Sequence, residues 1–229
     1  MSEVGENRDN GLRALGHAYL CRRYEILFYT LLLTLVAIPL IAALELSGAL
    51  IEVFLAASLL AAVMPVSTTK GRRSLLVIVT IVWLARLATA WSDHPAVSNL
   101  TLALWAVIAL FAAAAALRFA IRATEVDAEH LYAALSAYLL AGIFFAEFYW
   151  VLEQIKPLTF AAPDEFTRMS ALYFSFVTLA TLGYGDIVPR TDIARGLAMV
   201  EGVGGQLFLA VMVARLVSLY ARSGPEGRL

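Results

Sequence analysis

The stretch Thr181-Leu182-Gly183-Tyr184-Gly185-Asp186 lies between a short apolar run and a long one in the C-terminal part of the sequence. Gly183 and Gly185 stand at every second position, and glycine tolerates a positive φ because it has no Cβ. A backbone that alternates between ordinary and positive-φ conformations can turn successive carbonyl groups toward one axis. Together with the Thr181 hydroxyl, these oxygens can replace the water around a bare cation. The motif therefore predicts a cation-binding strand, with the Tyr184 side chain pointing away from the ions.

The composition is typical of a membrane protein. Hydrophobic residues make up 61% of the 229 residues, charged residues make up 15%, and the mean hydropathy is +0.79. In a soluble globular chain about a quarter of the residues are charged. The net charge is −1 and there is no basic tract, so we expect a lipid bilayer around the chain and no nucleic-acid partner. The apolar runs carry no paired polar groups at catalytic or metal-ligand spacing, so we expect no enzymatic activity.

Six apolar runs are long enough to cross a bilayer as helices, which takes about 20 residues. They cover about 24–46, 49–66, 74–91, 98–121, 132–153 and 193–219. A seventh run, at about 167–180, is too short to cross and ends at the motif. We expect it to be a re-entrant helix, followed by a strand that other protein segments surround. The predicted fold class is an all-α membrane protein with six transmembrane helices, a re-entrant helix and the loop that carries the motif.

Lysine and arginine residues are concentrated on one side of the predicted spans. They precede the first span, separate the second from the third, follow the fourth and close the chain: Arg8, Arg13, Arg22, Arg23, Lys70, Arg72, Arg73, Arg118, Arg122, Arg222 and Arg228. The positive-inside rule places these segments in the cytoplasm. We therefore expect a multi-pass protein of the plasma membrane (the inner membrane of a bacterium), with both termini cytoplasmic and the motif at the external face.

The region from about 132 to 220 resembles the tetrameric potassium channels, especially bacterial ones with a compact pore. The specific part is Thr178-Leu179-Ala180-Thr181-Leu182-Gly183-Tyr184-Gly185-Asp186, which fits the family pattern Thr-x-x-Thr-x-Gly-Tyr-Gly-Asp. The resemblance implies an outer helix, a re-entrant pore helix, a selectivity filter and an inner helix. It also implies that K⁺ is bound by the backbone carbonyls of Thr181, Leu182, Gly183 and Tyr184. K⁺ is then the permeant ion, with no cofactor, and four copies of the single filter segment form a homotetramer.

Spans and resemblance together divide the chain into four parts. These are a cytoplasmic segment at 1–23, a four-helix membrane domain at 24–125, a pore domain at 126–220 and a short cytoplasmic tail at 221–229. A voltage sensor needs several arginines in its fourth span, because each charge contributes about 2.3 kcal/mol per 100 mV. The span 98–121 carries only Arg118, near its cytoplasmic end. We therefore expect little or no voltage dependence.

The residues around the filter depart from the commonest pattern of the resembled family. Leu182 replaces a valine, and its side chain is expected to face away from the pore. Many bacterial relatives carry a pore-helix glutamate that bonds the filter aspartate, and the matching residue here is Val177. Tyr173 stands where relatives often have a tryptophan donor, so its hydroxyl is a candidate partner for Asp186. The predicted filter support comprises Gly185, Asp186, Thr178, Tyr173 and Val177.

The inner helix carries the predicted gate. Gly205 falls where the resembled family has a hinge glycine, and either helix bending or close packing against the pore helix accounts for it. An apolar constriction at Leu209 or Val217 could gate by dewetting. Glu201 is predicted either to bond behind the filter or to add negative charge to the cavity. The predicted cavity lining is Gln206, Leu209, Val213 and Val217.

The predicted function is passive, K⁺-selective transport through a tetrameric pore. A non-conducting or modulatory channel subunit is one alternative, and a poorly selective cation channel, with Leu182 disturbing the filter, is another. Arg86 in the third span is predicted to pair with Glu52 or Asp93, because arginines inside membranes are usually paired.

Overall fold

The computed structural model describes residues 22–44, 48–63, 76–85, 95–122 and 127–222. This part of the chain is mostly helical. Its helices are α1 (Arg23–Ala43), α2 (Gly48–Val63), α3 (Leu76–Ala85), α4 (Pro95–Ile121), α5 (Ala128–Ile155), α6 (Arg168–Leu179) and α7 (Asp192–Arg222). Two short strands, β1 (Phe160–Ala161) and β2 (Val188–Pro189), pair in an antiparallel manner.

Four of the described helices are long and apolar enough to cross a membrane. They are Arg23–Ile41, Leu100–Ile121, Ala128–Ile155 and Asp192–Ser218. Over their described residues, α2 and α3 are shorter than the roughly 20 residues that a crossing takes. The observations therefore agree with an all-α membrane protein, and the six-span arrangement stays a prediction. Arg86 and Asp93 lie outside the described residues, as do most of the two predicted terminal segments.

The central helix of the described part is α5, which packs against α4, α1, α6 and α7. Small residues make its contact with α4 close, because they let two backbones approach each other. Those buried in this region are Ala109, Ala112, Ala116 and Ala120 of α4 and Ala133, Ala134 and Ala137 of α5. A buried hydrogen bond of 2.5 Å between the Thr34 and Ser58 hydroxyls joins α1 to α2.

The short helix α6 begins at a capping box in its local sequence. At its start, Thr167 and Ser170 form a capping box, in which each side chain accepts a hydrogen bond from the other residue's backbone N–H. These bonds satisfy amide groups that a helix otherwise leaves unpaired at its first turn. The helix ends at Leu179, two residues before the motif, and it packs between α5 and α7.

Candidate ion-binding site

The backbone of the motif has positive φ angles at every second residue. The values are 57° at Thr181, 57° at Gly183 and 78° at Gly185. Glycine adopts such angles without strain, whereas a β-branched threonine rarely does. Two hydrogen bonds hold the strained Thr181 region against the end of α6: the Thr181 N–H donates to the Thr178 carbonyl at 3.0 Å, and the Leu182 N–H donates to the Val177 carbonyl at 2.9 Å. The alternation expected for the two glycines is thus present, and it begins one step earlier.

The C-terminal end of α6 adjoins the first residue of the motif. The last carbonyl groups of a helix carry a partial negative charge, which favours a nearby cation. One of these carbonyls, that of Leu179, accepts a hydrogen bond of 3.3 Å from the Tyr138 hydroxyl of α5. The helix therefore adds a cation-favouring dipole at Thr181, and α5 helps to hold it in place.

The first residue of the motif, Thr181, is in contact with α7. The Gln206 side-chain amide donates to the Thr181 hydroxyl oxygen at 3.1 Å. This contact places Gln206 directly beside the first motif residue. In the single chain the predicted cavity-lining side chains are all exposed: Gln206, Leu209, Val213 and Val217. Their exposure is compatible with a face that lines a cavity between copies of the chain.

The C-terminal end of the motif, at Asp186, is attached to α6 through Tyr173. Its hydroxyl donates to a carboxylate oxygen of Asp186 at 2.8 Å, so the hydrogen bond expected from the sequence is present. The rings of Tyr173 and Tyr184 are nearly parallel, with an interplanar angle of 6° and a centroid distance of 6.5 Å. Tyr184 thus lies on the α6 side of the motif. Val177, which replaces the glutamate of many relatives, is buried and makes no such bond through its side chain.

Behind the motif, Glu201 joins three helices. It is fully buried, it accepts a hydrogen bond of 2.6 Å from the Tyr149 hydroxyl of α5, and it contacts the Ser175 hydroxyl of α6 at 2.5 Å. Of the two alternatives that the sequence left open, the structure shows bonding behind the motif. The carboxyl group is buried between α5, α6 and α7.

Gly205 is a site of close packing. A Cβ at this position would overlap the Leu179 carbonyl oxygen and lie 3.0 Å from the Leu179 Cδ1 atom. The neighbouring Gly204 has no atom within 4 Å of an added Cβ. The contact explains a glycine at position 205 without a hinge, because only a residue without a side chain lets α7 approach the end of α6 this closely.

Sequence reasoning missed two further contacts that position α6. Arg168 at the start of α6 donates to the same Glu147 carboxylate oxygen through Nε at 3.0 Å and Nη2 at 2.6 Å. The Phe176 ring packs on Gly142, where an added Cβ would lie 2.6 Å from its Cζ atom. An acidic residue within an apolar span normally has a partner, so Glu147 gave a usable signal. Gly142 gave no such signal, because the need for a glycine there arises from the Phe176 ring, which is distant in sequence.

The loop between α5 and α6 is held to the segment that follows the motif by backbone hydrogen bonds. Strand β1 precedes α6, strand β2 follows the motif, and the Arg190 N–H donates to the Thr159 carbonyl at 2.8 Å. The Glu153 carboxylate accepts from the Leu158 N–H at 2.7 Å and from the Phe160 N–H at 3.1 Å. The end of α5, the loop and the segment that follows the motif therefore form one connected unit.

Comparisons with known proteins point to ion channels for this part of the chain. Residues 133–222 match a family model described as "Ion channel". Similar proteins include Two-pore potassium channel 4 of Arabidopsis thaliana, 46% identical over 22% of this chain and 18% of the relative. Probable potassium channel protein 2 of Methanocaldococcus jannaschii is 42% identical over 24% of this chain and 16% of the relative. Inward rectifier potassium channel Kirbac3.1 of Paramagnetospirillum magnetotacticum is 33% identical over 37% and 28%.

The match to the ion-channel model lies in the C-terminal part of the chain. The chain spans at most 28% of the length of the three relatives, and no solved structure matches it. The match to the ion-channel model contains α6, the motif, nearly all of α5 and the whole of α7. The segment that carries the candidate site is thus similar to ion channels, and the chain is similar to potassium channels over part of its length.

Proposed function

We propose that this protein is a K⁺-selective channel in which four copies of the chain surround one pore. The observation that carries the proposal is the alternating positive φ at Thr181, Gly183 and Gly185. This alternation lies in the segment that matches the ion-channel model, and the chain is similar to potassium channels over part of its length. A backbone of this kind can present a column of carbonyl oxygens in place of the hydration shell of K⁺. The proposed ligands are the backbone carbonyls of Thr181, Leu182, Gly183 and Tyr184.

The proposed assembly is a homotetramer, since one strand supplies only part of a ring of oxygens. The surface of α7 supports this: only 17% of its candidate span is buried in the single chain, against 33% to 50% for the other three. Among its exposed apolar residues are Val203, Leu207 and Val211. Exposed apolar surface on an inner helix suits contact with neighbouring copies and with lipid.

The proposed subunit has six spans, both termini in the cytoplasm and the filter at the external face of the plasma membrane. The first four spans form a domain without a voltage sensor. In α4 the basic residue of the last turn is Arg118, and the first turn has no acidic residue. A single charge near the membrane edge supplies too little energy for steep voltage dependence. Conduction is therefore expected to vary little with voltage.

Flux into liposomes tests the proposal. The purified protein should carry K⁺ and exclude Na⁺, barium should block the flux, and the flux should vary weakly with membrane potential. Gly183→Ala should abolish K⁺ flux, because alanine is strained at a φ of 57°. Gly196→Ala is the matched control: an added Cβ there meets no atom within 4 Å, and its flux should equal that of the natural protein.

The other outcomes separate the alternatives. Absence of flux from a verified tetramer would favour a modulatory subunit. Equal K⁺ and Na⁺ flux would favour a poorly selective channel, with Leu182 as the first residue to exchange for valine. A gating charge of several elementary units would contradict the proposed absence of a voltage sensor.

A further inference from the structure

We propose that Glu201 holds a proton in this structure and that the protonated carboxyl group is a latch between α7, the pore helix α6 and the outer helix α5. Glu201 takes no part in the proposed ion-binding strand. Its buried contacts nevertheless connect α7 with α5 and with α6, the helix that ends at that strand. The effect of the latch on conduction rests on the proposed channel function, whereas the bound proton does not.

The proton is inferred from a count of hydrogens. Three short contacts form a chain: Tyr149 hydroxyl to Glu201 at 2.6 Å, Glu201 to Ser175 hydroxyl at 2.5 Å, and Ser175 hydroxyl to the Gly142 carbonyl at 2.7 Å. Tyrosine and serine supply one hydroxyl hydrogen each, and the carbonyl supplies none. An ionised carboxylate leaves two hydrogens for three contacts.

The deficit falls on Ser175 and not on Tyr149. The Ser175 hydroxyl has two acceptors, at 2.5 Å and 2.7 Å, and a single hydrogen to share between them. If it donates to Gly142, a carboxylate oxygen faces its lone pairs at 2.5 Å without a hydrogen between them. A carboxylic acid removes the conflict, because the acid O–H donates to Ser175, Ser175 donates to Gly142 and Tyr149 donates to the other carboxyl oxygen.

The surroundings of Glu201 agree with a neutral carboxyl group. Both groups that hydrogen-bond it are neutral hydroxyls, and the side chain has no exposed surface. On α5 the titratable side chains nearest to it are Tyr149 and Tyr138, both neutral in ordinary conditions, while Glu147 is engaged by Arg168 of α6. A buried carboxylate bonded only by neutral groups is costly, and a bound proton removes that cost.

The latch connects to the ion-binding strand through α6. Ser175 lies in the helix whose last carbonyls adjoin Thr181, and Gly205 of α7 presses against the same helix end. Loss of the proton would leave the single Ser175 hydrogen with two acceptors, so that either the bond to Gly142 of α5 or the bond to Glu201 of α7 would be lost. We therefore expect alkaline conditions to loosen the packing of the pore helix α6 against α5 or α7 and to change K⁺ flux about tenfold, the scale of one buried hydrogen bond.

Infrared spectroscopy of the full-length protein in liposomes measures the proton directly. The natural protein should show a buried carboxylic-acid C=O band at neutral pH that vanishes on alkaline titration. Glu201→Gln should lack this band, and Glu165→Gln, at an exposed position, should keep it. If Glu201→Gln cannot be produced, Tyr149→Phe serves instead: it removes a donor to the ionised form, so the band should persist to higher pH. A band unaffected by both Glu201→Gln and Tyr149→Phe would overturn the proposal.

Flux measurements then test the latch. A glutamine amide can donate to Ser175 and accept from Tyr149, so Glu201→Gln reproduces the protonated network without a titratable proton. Its K⁺ flux should stay constant over the pH range in which the natural flux changes. Equal pH dependence in both proteins would overturn the latch. Absence of K⁺ flux in every variant, with the acid band behaving as expected, would contradict the channel function and support the bound proton.

Discussion

Replacement of Gly205 by alanine separates a packing role from a hinge role at the centre of α7. The new Cβ would overlap the Leu179 carbonyl oxygen and approach Leu179 Cδ1 to 3.0 Å. A carbonyl of the helix backbone cannot yield as a flexible side chain does, so α6 or α7 must move. Overpacking of this kind costs about 1–3 kcal/mol.

Helix propensity acts in the opposite direction. Alanine in place of glycine stabilises a helix interior by about 1 kcal/mol. At Gly204 an added Cβ meets no atom of its own chain within 4 Å, so helix propensity predicts that Gly204→Ala is slightly more stable than the natural protein. At Gly205 both effects operate. Because the propensity gain is common to both variants, overpacking alone predicts that Gly205→Ala is less stable than Gly204→Ala by about 1–3 kcal/mol.

The free energy of unfolding can be measured for both variants by titration with a denaturing detergent in mixed micelles, with circular dichroism as the signal. Gly204→Ala is a close control, because it makes the same substitution at the neighbouring position of the same helix and so matches composition and helix propensity. Equal stability of the two variants would refute the packing role. A changed open probability without any loss of stability in Gly205→Ala would support a hinge instead.

Three further substitutions test contacts around the site. Glu147→Gln should destabilise the protein by about 1–3 kcal/mol, because it replaces the ion pair between Glu147 and Arg168 by a neutral hydrogen bond; an unfolding titration that shows no loss would contradict this role. Tyr173→Phe should alter slow inactivation, because it removes the hydroxyl that binds Asp186 at 2.8 Å. Identical macroscopic currents would mean that this bond has no part in holding the filter. Val217→Ser should raise the basal open probability by favouring water at an apolar constriction, and unchanged single-channel records would count against a gate there.

Local sequence signals predicted the short helix before the motif and one contact at the end of the motif. The run at about 167–180 corresponds to α6 at Arg168–Leu179, and the expected bond from Tyr173 to Asp186 is present. Both rest on residues that are close in sequence or on a motif with strict backbone requirements. In contrast, the partners of Glu201 could not be predicted, because Tyr149 and Ser175 lie 52 and 26 residues away. Their proximity depends on how α5, α6 and α7 pack.

Gly205 shows why a sequence pattern can leave two roles open. A glycine in a membrane helix is compatible with bending and with close approach, and only the position of the Leu179 carbonyl distinguishes them. At Thr181 the sequence does not indicate the observed backbone conformation, since nothing in its residue type predicts a φ of 57°. The angle depends on the hydrogen bonds that tie the start of the motif to α6.

The loop between α5 and α6 is joined to the segment after the motif mainly through main-chain atoms. These contacts are the pairing of β1 with β2 and the hydrogen bond from the Arg190 N–H to the Thr159 carbonyl. Main-chain hydrogen bonds of this kind depend little on the identity of the surrounding side chains. Pro163, Asp164 and Glu165 are exposed and lie outside both strands. A short antibody epitope inserted among them should therefore leave these hydrogen bonds intact and give a label on one membrane face. Labelling of intact cells would then report the orientation of the protein directly.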